Sequence, residues 1–538
     1  QLRLDYLRGD RTLEADGTFR ERSNALGDIV YSNPVYVGKP QSNYQDTLDF
    51  GNADFSTFKA GNKNRPGVIY VGANDGMLHG FSEVDGSEVI AYVPNMVFSN
   101  ASQEGLHYLT DPNYSHRYYV DLSPSVSDVY FNSSWRTVLI GGLRAGGRGL
   151  FALDITDPSN FHTSGAAGSV VMWEFTSNDL IDLGYTFSKP TMALMENNKW
   201  AAIFGNGYND QGSGMAKLVI LYLDGGLDGT WSATDYKVIS TGVGSTTDRN
   251  GLSTPAVVDS DGNGKADRVY AGDLKGNLWA FDLSNTSDTQ WGVAYKQGST
   301  PKALFSAMIG TTPQPITAKP VVARNPAVTT TTSNKPNILV FFGTGQYMVD
   351  GDKSTTGTQT FYGVWDDSSP ASQMPRTRTN LVAQTLTANS TSQLRLLTNN
   401  NVTFGTQYGW MFDLPTAGER VTVDPKIRGD YVFFNTMIPD PNTCNSKGYG
   451  WLMALKLANG GTPDKPVFDI NNDGLVNDSD KLADTSPGGT RFDGIPSPSN
   501  FLSDKMYTSD DEGKIVTTPI DAGIAHESGR ISWREITQ

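Results

Sequence analysis

The chain repeats one hairpin pattern along its length, and this repeat constrains the fold more than any other feature. Residues 70–81 superpose without a gap on residues 270–281, and both read as a strand, a tight turn with glycine and a second strand. Related patterns occur at residues 140–154, 203–224, 340–366 and 431–455. One such unit is too small to bury its own apolar face, so successive units must pack against one another.

A second signature precedes most of these hairpins. It is a short polar dipeptide, a proline and then β-branched or apolar residues, centred on Pro34, Pro124, Pro190, Pro255, Pro320 and Pro519. Proline suits the first residue of a strand because it has no N–H to donate. The unit at residues 431–455 lacks the proline and fills the gap before Pro519, which makes seven units.

Units of about four antiparallel strands at this spacing are typical of propeller blades. We therefore predict an all-β fold, a modified seven-bladed β-propeller with loop insertions, over residues 1–538 as a single domain. Residues 329–333, 353–360 and 368–401 are the expected insertions, and we predict that they are surface decorations.

Composition narrows the function classes. The chain has a net charge of −15 and a pI near 4.8, and a negative charge repels the phosphate backbone of nucleic acids. Nucleic acid is therefore not an expected partner. The one cysteine, Cys444, cannot form an internal disulfide. No apolar run approaches the roughly 20 residues that span a bilayer, and because the chain starts at Gln1 we expect a fragment of a longer protein whose N-terminal region is absent.

One loop carries the spacing of a calcium site. Between an apolar strand and the hairpin from residue 268, oxygen-bearing side chains recur at alternate positions and glycines separate them. Calcium takes roughly 6 to 8 oxygen ligands, and a tight turn of this composition supplies them. The predicted ligands are Asp259, Asp261, Asn263, the backbone carbonyl of Lys265, and Asp267. The twelfth position is Tyr270, so Asp267 has to close the site; the alternative is a solvated turn between two strands.

A second stretch, residues 469–480, matches the full calcium-loop template with glycine at its sixth position. Its predicted ligands are Asp469, Asn471, Asp473, Leu475 through its carbonyl, Asn477 and Asp480. In the usual loop of this kind a helix leads into the first ligand, but the proline-rich residues 462–466 argue against a helix at that position.

Two tripeptides match the Arg-Gly-Asp sequence that integrins bind. Arg8, Gly9 and Asp10 lie within a segment of helical character, residues 2–20, whereas Arg428, Gly429 and Asp430 abut the strand from residue 431. We predict that the second tripeptide starts a hairpin. The first is the candidate for receptor binding, and its alternative is an Arg–Asp pair on a solvated turn.

The repeats are similar to those of quinoprotein-type propellers, and together with the loop at 259–267 they narrow the resemblance. The chain resembles the C-terminal domain of the PilY-type type IV pilus biogenesis factors over essentially all of its length. The most specific motif is the calcium loop between residues 253–258 and the hairpin from residue 268.

This resemblance implies several expectations. The loop at 259–267 would bind Ca²⁺, and the protein would act at the outer cell surface or the pilus tip. There it would regulate pilus extension against retraction, twitching motility and host-cell adhesion. Its expected partners are pilins or minor pilins and a host receptor such as an integrin.

The alternative is a quinoprotein-like dehydrogenase that holds Ca²⁺ and a pyrroloquinoline cofactor. A shared fold does not carry that function, and the single cysteine excludes a vicinal disulfide. The five histidines form no zinc-binding motif, and we find no Gly-x-Ser-x-Gly or phosphate-loop motif. We therefore predict a protein that is not an enzyme.

Overall fold

A computed structural model describes residues 1–46, 54–162, 167–440 and 448–523. Contacts divide the chain into two compact units. The first comprises residues 1–252, 264–266 and 283–291, and the second comprises residues 253–263, 267–282 and 292–538. In the described ranges the α-helices are short: α1 Leu2–Leu7, α2 Phe55–Gly61, α3 Gly105–Tyr108 and α4 Ala167–Val170.

The first unit contains three four-stranded antiparallel sheets, named blades one to three. In each blade the strands pair in chain order. Blade one is β1 Val35–Val37, β2 Val68–Gly72, β3 Leu78–Ser82 and β4 Glu88–Tyr92; blade two is β5 Ser125–Phe131, β6 Ser134–Gly142, β7 Gly149–Asp154 and β8 Val171–Thr176; blade three is β9 Thr191–Leu194, β10 Trp200–Gly205, β11 Met215–Tyr222 and β12 Tyr236–Gly244.

The second unit contains blades four to seven and two small hairpins. The strands of blade four are β13 Ala256–Val258, β14 Arg268–Gly272, β15 Asn277–Asp282, β16 Gly292–Val293 and β19 Phe305–Ser306, and the hairpins are β17 Tyr295–Gln297 with β18 Thr300–Lys302 and β20 Met308–Ile309 with β21 Thr312–Pro313. Blade five is β22 Val321–Arg324, β23 Ile338–Gly343, β24 Thr360–Asp366, β25 Val382–Gln384 and β27 Gly409–Asp413; blade six is β26 Leu394–Arg395, β28 Lys426–Arg428, β29 Tyr431–Ile438, β30 Tyr449–Lys456 and β31 Gly489–Asp493; blade seven is β32 Asn500–Leu502, β33 Lys505–Ser509 and β34 Ile515–Pro519.

The described residues therefore form seven sheets of three or more strands, and the predicted class, an all-β seven-bladed propeller, is confirmed. The repeated hairpin is β2 with β3 in blade one and β14 with β15 in blade four. Its turn needs glycine: Gly276 has φ +76°, and a Cβ there would lie 2.5 Å from the carbonyl oxygen of Ala307.

Adjacent blades within each unit share apolar cores. In the first unit, one buried cluster joins blades one and two and another joins blades two and three. In the second unit, three clusters join blade four to five, five to six, and six to seven. Large aromatic residues such as Trp279 and Trp410 are fully buried. Packing between blades thus supplies the burial that no single sheet achieves.

The proline signature is correct at five positions and wrong at one. Pro34, Pro124, Pro190, Pro255 and Pro320 directly precede β1, β5, β9, β13 and β22. Pro519 instead ends β34, and blade seven begins at β32, two residues after Pro498. In blade six, β28 begins directly after Pro425 and leads into the hairpin of β29 and β30. The N–H of the next residue, Ile520, donates to the carbonyl of Asp504 across the hairpin at 2.8 Å, so Pro519 lies at the end of the β33–β34 pairing and does not begin a strand.

The predicted insertion at 368–401 is not only a surface decoration. It contains β25, which pairs in parallel with β27 of blade five, and β26, which pairs with β31 of blade six. Arg395 in β26 is 2% exposed, so this segment is part of the core. Residues 329–333 are exposed or half-buried and carry no strand, as predicted. Cys444 lies outside the described residues.

Candidate metal centre

The loop at residues 259–267 connects β13 to β14 in blade four. Two glycines take left-handed backbone conformations, with φ +81° at Gly262 and +88° at Gly264. This conformation favours glycine and lets the chain turn back tightly. The loop closes where the N–H of Asp267 donates to the carbonyl of Val258 at 3.0 Å, one step before the strand ladder begins.

Three of the predicted ligands meet in this loop. Oxygen atoms of Asp259, Asp261 and Asp267 lie within 4.8 Å of one another. Asp259 is 2% exposed and Asp267 is 5% exposed, whereas Asp261 is exposed. Among the described residues this is the one group of three or more acidic, histidine or cysteine side chains with such spacing. The sequence therefore identified the densest acidic cluster in the described part of the chain.

Burial disfavours the ionised form of the Asp267 carboxyl group. Desolvation raises its pKa to about 6, and the charges of Asp261 and Asp259 add to that effect. Hydrogen bonds from Ser260 act in the opposite direction: its N–H donates at 3.0 Å and its hydroxyl at 2.8 Å. A divalent cation would offset both the burial cost and the mutual repulsion.

The remaining loop residues shape the turn. Asp259 Oδ1 accepts the N–H of Gly262 at 2.7 Å and the N–H of Asn263 at 3.1 Å. The side chain of Asn263 is exposed. The ammonium group of Lys265 donates to Asn198 at 2.7 Å, so its positive charge is engaged with a neutral amide and its predicted role is confined to the backbone carbonyl.

This donor set fits calcium. Carboxylate, amide and carbonyl oxygens are hard ligands, and the loop offers no sulfur or imidazole donor that would favour a softer metal. Asp259, Asp261 and Asp267 would hold the ion, with Asn263 and the Lys265 carbonyl as further oxygen donors. The ion would supply charge compensation in a loop that otherwise carries three carboxylates.

A buried ionic cluster adjoins this loop, and the sequence analysis missed it. We call Arg268, Tyr270, Tyr295 and Asp366 the anchor cluster. One Asp366 oxygen accepts two guanidinium N–H groups of Arg268 at 2.6 and 3.2 Å and the Tyr270 hydroxyl at 2.7 Å; the Tyr295 hydroxyl donates to the other oxygen. No local motif could reveal it, because Arg268 and Asp366 are 98 residues apart.

Both charged members of the anchor cluster are ionised. Burial alone would lower the pKa of Arg268, but the adjacent Asp366 outweighs this and the pKa is well above its usual value. Burial would raise the pKa of Asp366, yet Arg268 and the two tyrosine hydroxyls lower it below its usual value. The pair is therefore charged although Asp366 is fully buried.

The second predicted loop lies between β30 and β31 of blade six, and most of its predicted ligands are exposed. Its side chains bond mainly to the loop itself. Gly474 N–H donates to Asp469 at 2.9 Å, and the Asn471 amide donates to Asp473 at 3.2 Å. Leu475 is 64% exposed, and its N–H donates to Asp473 at 2.8 Å.

The carboxylates at the two ends of this second loop differ in their hydrogen bonding. Asp480 is fully buried, and its two oxygens accept the N–H groups of Ile470 and Asn477, each at 2.9 Å. The Oδ1 atom of Asp469 is buried and has no hydrogen-bond partner. A bound cation would provide a partner for that oxygen, whereas both oxygens of Asp480 already accept backbone N–H groups of the loop.

The two Arg-Gly-Asp tripeptides occupy different settings. Arg8 and Asp10 are exposed on the turn that ends α1, and Gly9 has φ +106°. In the other tripeptide, Gly429 and Asp430 form the hairpin turn between β28 and β29, as predicted. Arg428 donates to the carbonyl of Ser503, so its guanidinium is engaged in the fold.

The fold and the loop define a β-propeller domain with an acidic loop between the first two strands of one blade. Residues 26–399 match the family model described as the PilY1 beta-propeller domain. The chain belongs to this family.

Individual relatives agree with that assignment. The chain is 37% identical over 517 residues to the type IV pilus biogenesis factor PilY1 of Pseudomonas aeruginosa strain PAK, covering 88% of this chain and 42% of that protein. It is 37% identical over 483 residues to a PilY1 homolog of Xylella fastidiosa, covering 85% of this chain and 31% of the homolog. The chain thus spans less than half the length of these relatives.

A solved structure is also similar. The crystal structure of the Pseudomonas aeruginosa PilY1 C-terminal domain superposes with a TM-score of 0.72 at 32% identity. The match covers 91% of this chain and 99% of that one. In the described part of our structure, no helix has the length and apolar character that crossing a bilayer requires.

Proposed function

We propose that this chain is a calcium-binding β-propeller domain that acts in type IV pilus biogenesis and carries no catalytic activity. The observation that carries the calcium assignment is the convergence of Asp259, Asp261 and Asp267 within 4.8 Å in a loop where Asp267 is almost fully buried. The assignment to pilus biogenesis draws on the similar proteins of Pseudomonas aeruginosa and Xylella fastidiosa, which are named as type IV pilus biogenesis factors and not as enzymes.

A calcium titration of the purified chain tests the metal assignment. We expect saturable binding of Ca²⁺ by calorimetry and a higher midpoint of thermal unfolding, because a ligand that binds only the folded state stabilises it by about 2.7 kcal/mol at a hundredfold excess over Kd. Mg²⁺ should bind more weakly, since it demands near-octahedral geometry and keeps its waters. No heat and no thermal shift with millimolar Ca²⁺ would contradict the proposal.

The second loop is included in this proposal as a separate site. Its support is the buried, unsatisfied Oδ1 atom of Asp469. If the loop binds, the titration has two sites per chain, and Asp469→Asn removes one of them. A stoichiometry of one that is unchanged by Asp469→Asn would exclude the second site.

The proposed biological role is supported by the family resemblance. We propose that metal occupancy regulates pilus extension against retraction, and through it twitching motility, by ordering a loop whose carboxylates otherwise repel one another. Pilins or minor pilins are the proposed partners, and the proposed location is the cell surface or the pilus tip. The quinoprotein alternative predicts cofactor absorbance in purified protein, which we do not expect.

Host adhesion is a second candidate function, and the exposed turn with Arg8 and Asp10 favours it. If an integrin binds this turn, Asp10→Ala should reduce binding of purified integrin to the immobilised chain by about tenfold or more, because the carboxylate is the recognised charge. Asp430→Ala, in the hairpin turn, serves as the matched control and should leave binding unchanged. Equal binding by wild type and Asp10→Ala would refute this role.

A further inference from the structure

We propose that the anchor cluster is a positioning device for the cation loop: Arg268, held by Asp366 and the hydroxyls of Tyr270 and Tyr295, fixes the end of the loop at which Asp267 closes the site. This inference rests on the proposed calcium function and adds residues to it that contribute no ligand atom. It also assigns a role to a charge pair in which Asp366 is fully buried and the side chain of Arg268 is 11% exposed.

Arg268 lies in the β13–β14 ladder directly beside the loop, and this position is the first reason for the proposal. Arg268 directly follows Asp267 and pairs with Val258, which directly precedes Asp259. Arg268 and Val258 are therefore the last ladder pair before the loop, and any movement of this pair moves both buried carboxylates. Fixing Arg268 fixes the spacing between the first and the last ligand of the loop.

The hydrogen bonds from Arg268 to Asp366 are the second reason for the proposal. Its side chain is 11% exposed, and its guanidinium donates two N–H groups to Asp366 at the end of β24 in blade five. Asp366 is held in turn by hydroxyls from β14 and β17. Charge-assisted hydrogen bonds of this kind are strong and directional. The base of the loop is thus tied to blade five and not only to its own hairpin.

The buried charge of Arg268 is the third reason for the proposal. Without the Asp366 carboxylate, the Arg268 guanidinium would be left largely buried and without an opposite charge, and its strand would have to shift to solvate it. Because Arg268 directly follows Asp267, such a shift would displace the end of the loop. Groups that orient metal ligands commonly affect metal affinity by 10- to 100-fold on mutation.

The test compares calcium affinity among variants by calorimetry. We expect Asp366→Asn to raise the Kd for Ca²⁺ about tenfold or more, because it releases the anchor and leaves the Arg268 charge uncompensated. Tyr295→Phe removes one hydrogen bond and keeps the ion pair, and we expect a rise of roughly threefold to fivefold. Because Asp366→Asn leaves a buried cation and the chain could fail to fold, Tyr295→Phe is the variant that keeps the test decisive.

The matched control is a second buried ion pair. Arg395 and Glu419 in the second unit are joined at 2.6 and 2.8 Å and are at most 2% exposed, and neither belongs to the loop or to the anchor cluster. Glu419→Gln should lower thermal stability as Asp366→Asn does, yet leave the Kd unchanged. The double variant Arg268→Met with Asp366→Asn lacks the buried guanidinium that Asp366→Asn alone leaves without an opposite charge. It should recover part of the calcium affinity.

The outcomes separate this inference from the proposed function. If wild type binds Ca²⁺ and folded Tyr295→Phe and Asp366→Asn bind it with the wild-type Kd, the anchor cluster is structural only and the inference is overturned. An equal loss of affinity in Glu419→Gln overturns it as well, since the effect would then be general destabilisation. If wild type itself binds no Ca²⁺, the proposed function fails first.

Discussion

Asp267→Ala is expected to abolish calcium binding at the loop of residues 259–267, with a rise in the Kd of that site of roughly 100-fold or more. Asp267 is the buried carboxylate that closes the loop, and no acidic residue occupies the twelfth position to replace it. Calorimetry with Ca²⁺ measures the loss, and circular dichroism checks that the fold is retained. Micromolar affinity in the variant would place the binding in another loop.

The same variant also tests the electrostatics of the metal-free loop. Because burial raises the pKa of Asp267 to about 6 in the folded state, above the usual value of 3.8 for an aspartate, the ionised carboxylate destabilises the fold. This cost is absent below about pH 3.8, grows as pH rises to about 6 and is full at pH 7. Without calcium at pH 7, Asp267→Ala should therefore unfold at a temperature no lower than that of wild type. Asp267→Asn, which keeps the size and one acceptor, is the matched control.

Gly409→Ala is expected to destabilise the second unit by about 3 kcal/mol or more, because two independent costs add. Gly409 has φ +131° at the start of β27, and a Cβ there would lie 2.0 Å from the carbonyl oxygen of Gly363 in β24. Since that neighbour is strand backbone, relief of the clash has to break the β24–β27 ladder of blade five. Thermal unfolding and the yield of folded protein measure the effect.

A nearby glycine provides the control for Gly409. Gly405 has φ +101°, but a Cβ there would meet nothing within 4 Å. Gly405→Ala should therefore show only the backbone strain of about 1 kcal/mol. If the two alanine variants unfold at the same temperature, the close approach of β27 to β24 is not what requires glycine at position 409.

Much of the fold could be predicted because its signals are local. The hairpin at 70–81 and its counterpart at 270–281 carry the alternation and the turn glycine within twelve residues. Prolines at five blade entries mark strand starts for a steric reason that needs no knowledge of neighbours. The loop at 259–267 was identified from its spacing alone, and the structure brings its three aspartates together.

Two predictions were wrong because a local sequence pattern indicated one structure, whereas pairing with a strand elsewhere in the fold produced another. Pro519 has the same sequence neighbourhood as the strand-leading prolines, but β33 pairs with the residues before it and makes it a strand end. Residues 368–401 look like a polar insertion, yet β25 and β26 each find an edge of a sheet to join. Strand membership is decided by the partner, and the partner can be far away in sequence.

By itself, the sequence determined most of the blade hairpins that this protein forms and which loop gathers carboxylates, because turn chemistry, strand alternation and ligand spacing act over a dozen residues. Only the tertiary structure decided how those carboxylates are buried and what holds them. The pKa of Asp267 depends on the packing around it. The anchor of its neighbour Arg268 comes from Asp366, 98 residues further along the chain. Desolvation and charge pairing are properties of the assembled core, and no local pattern encodes them.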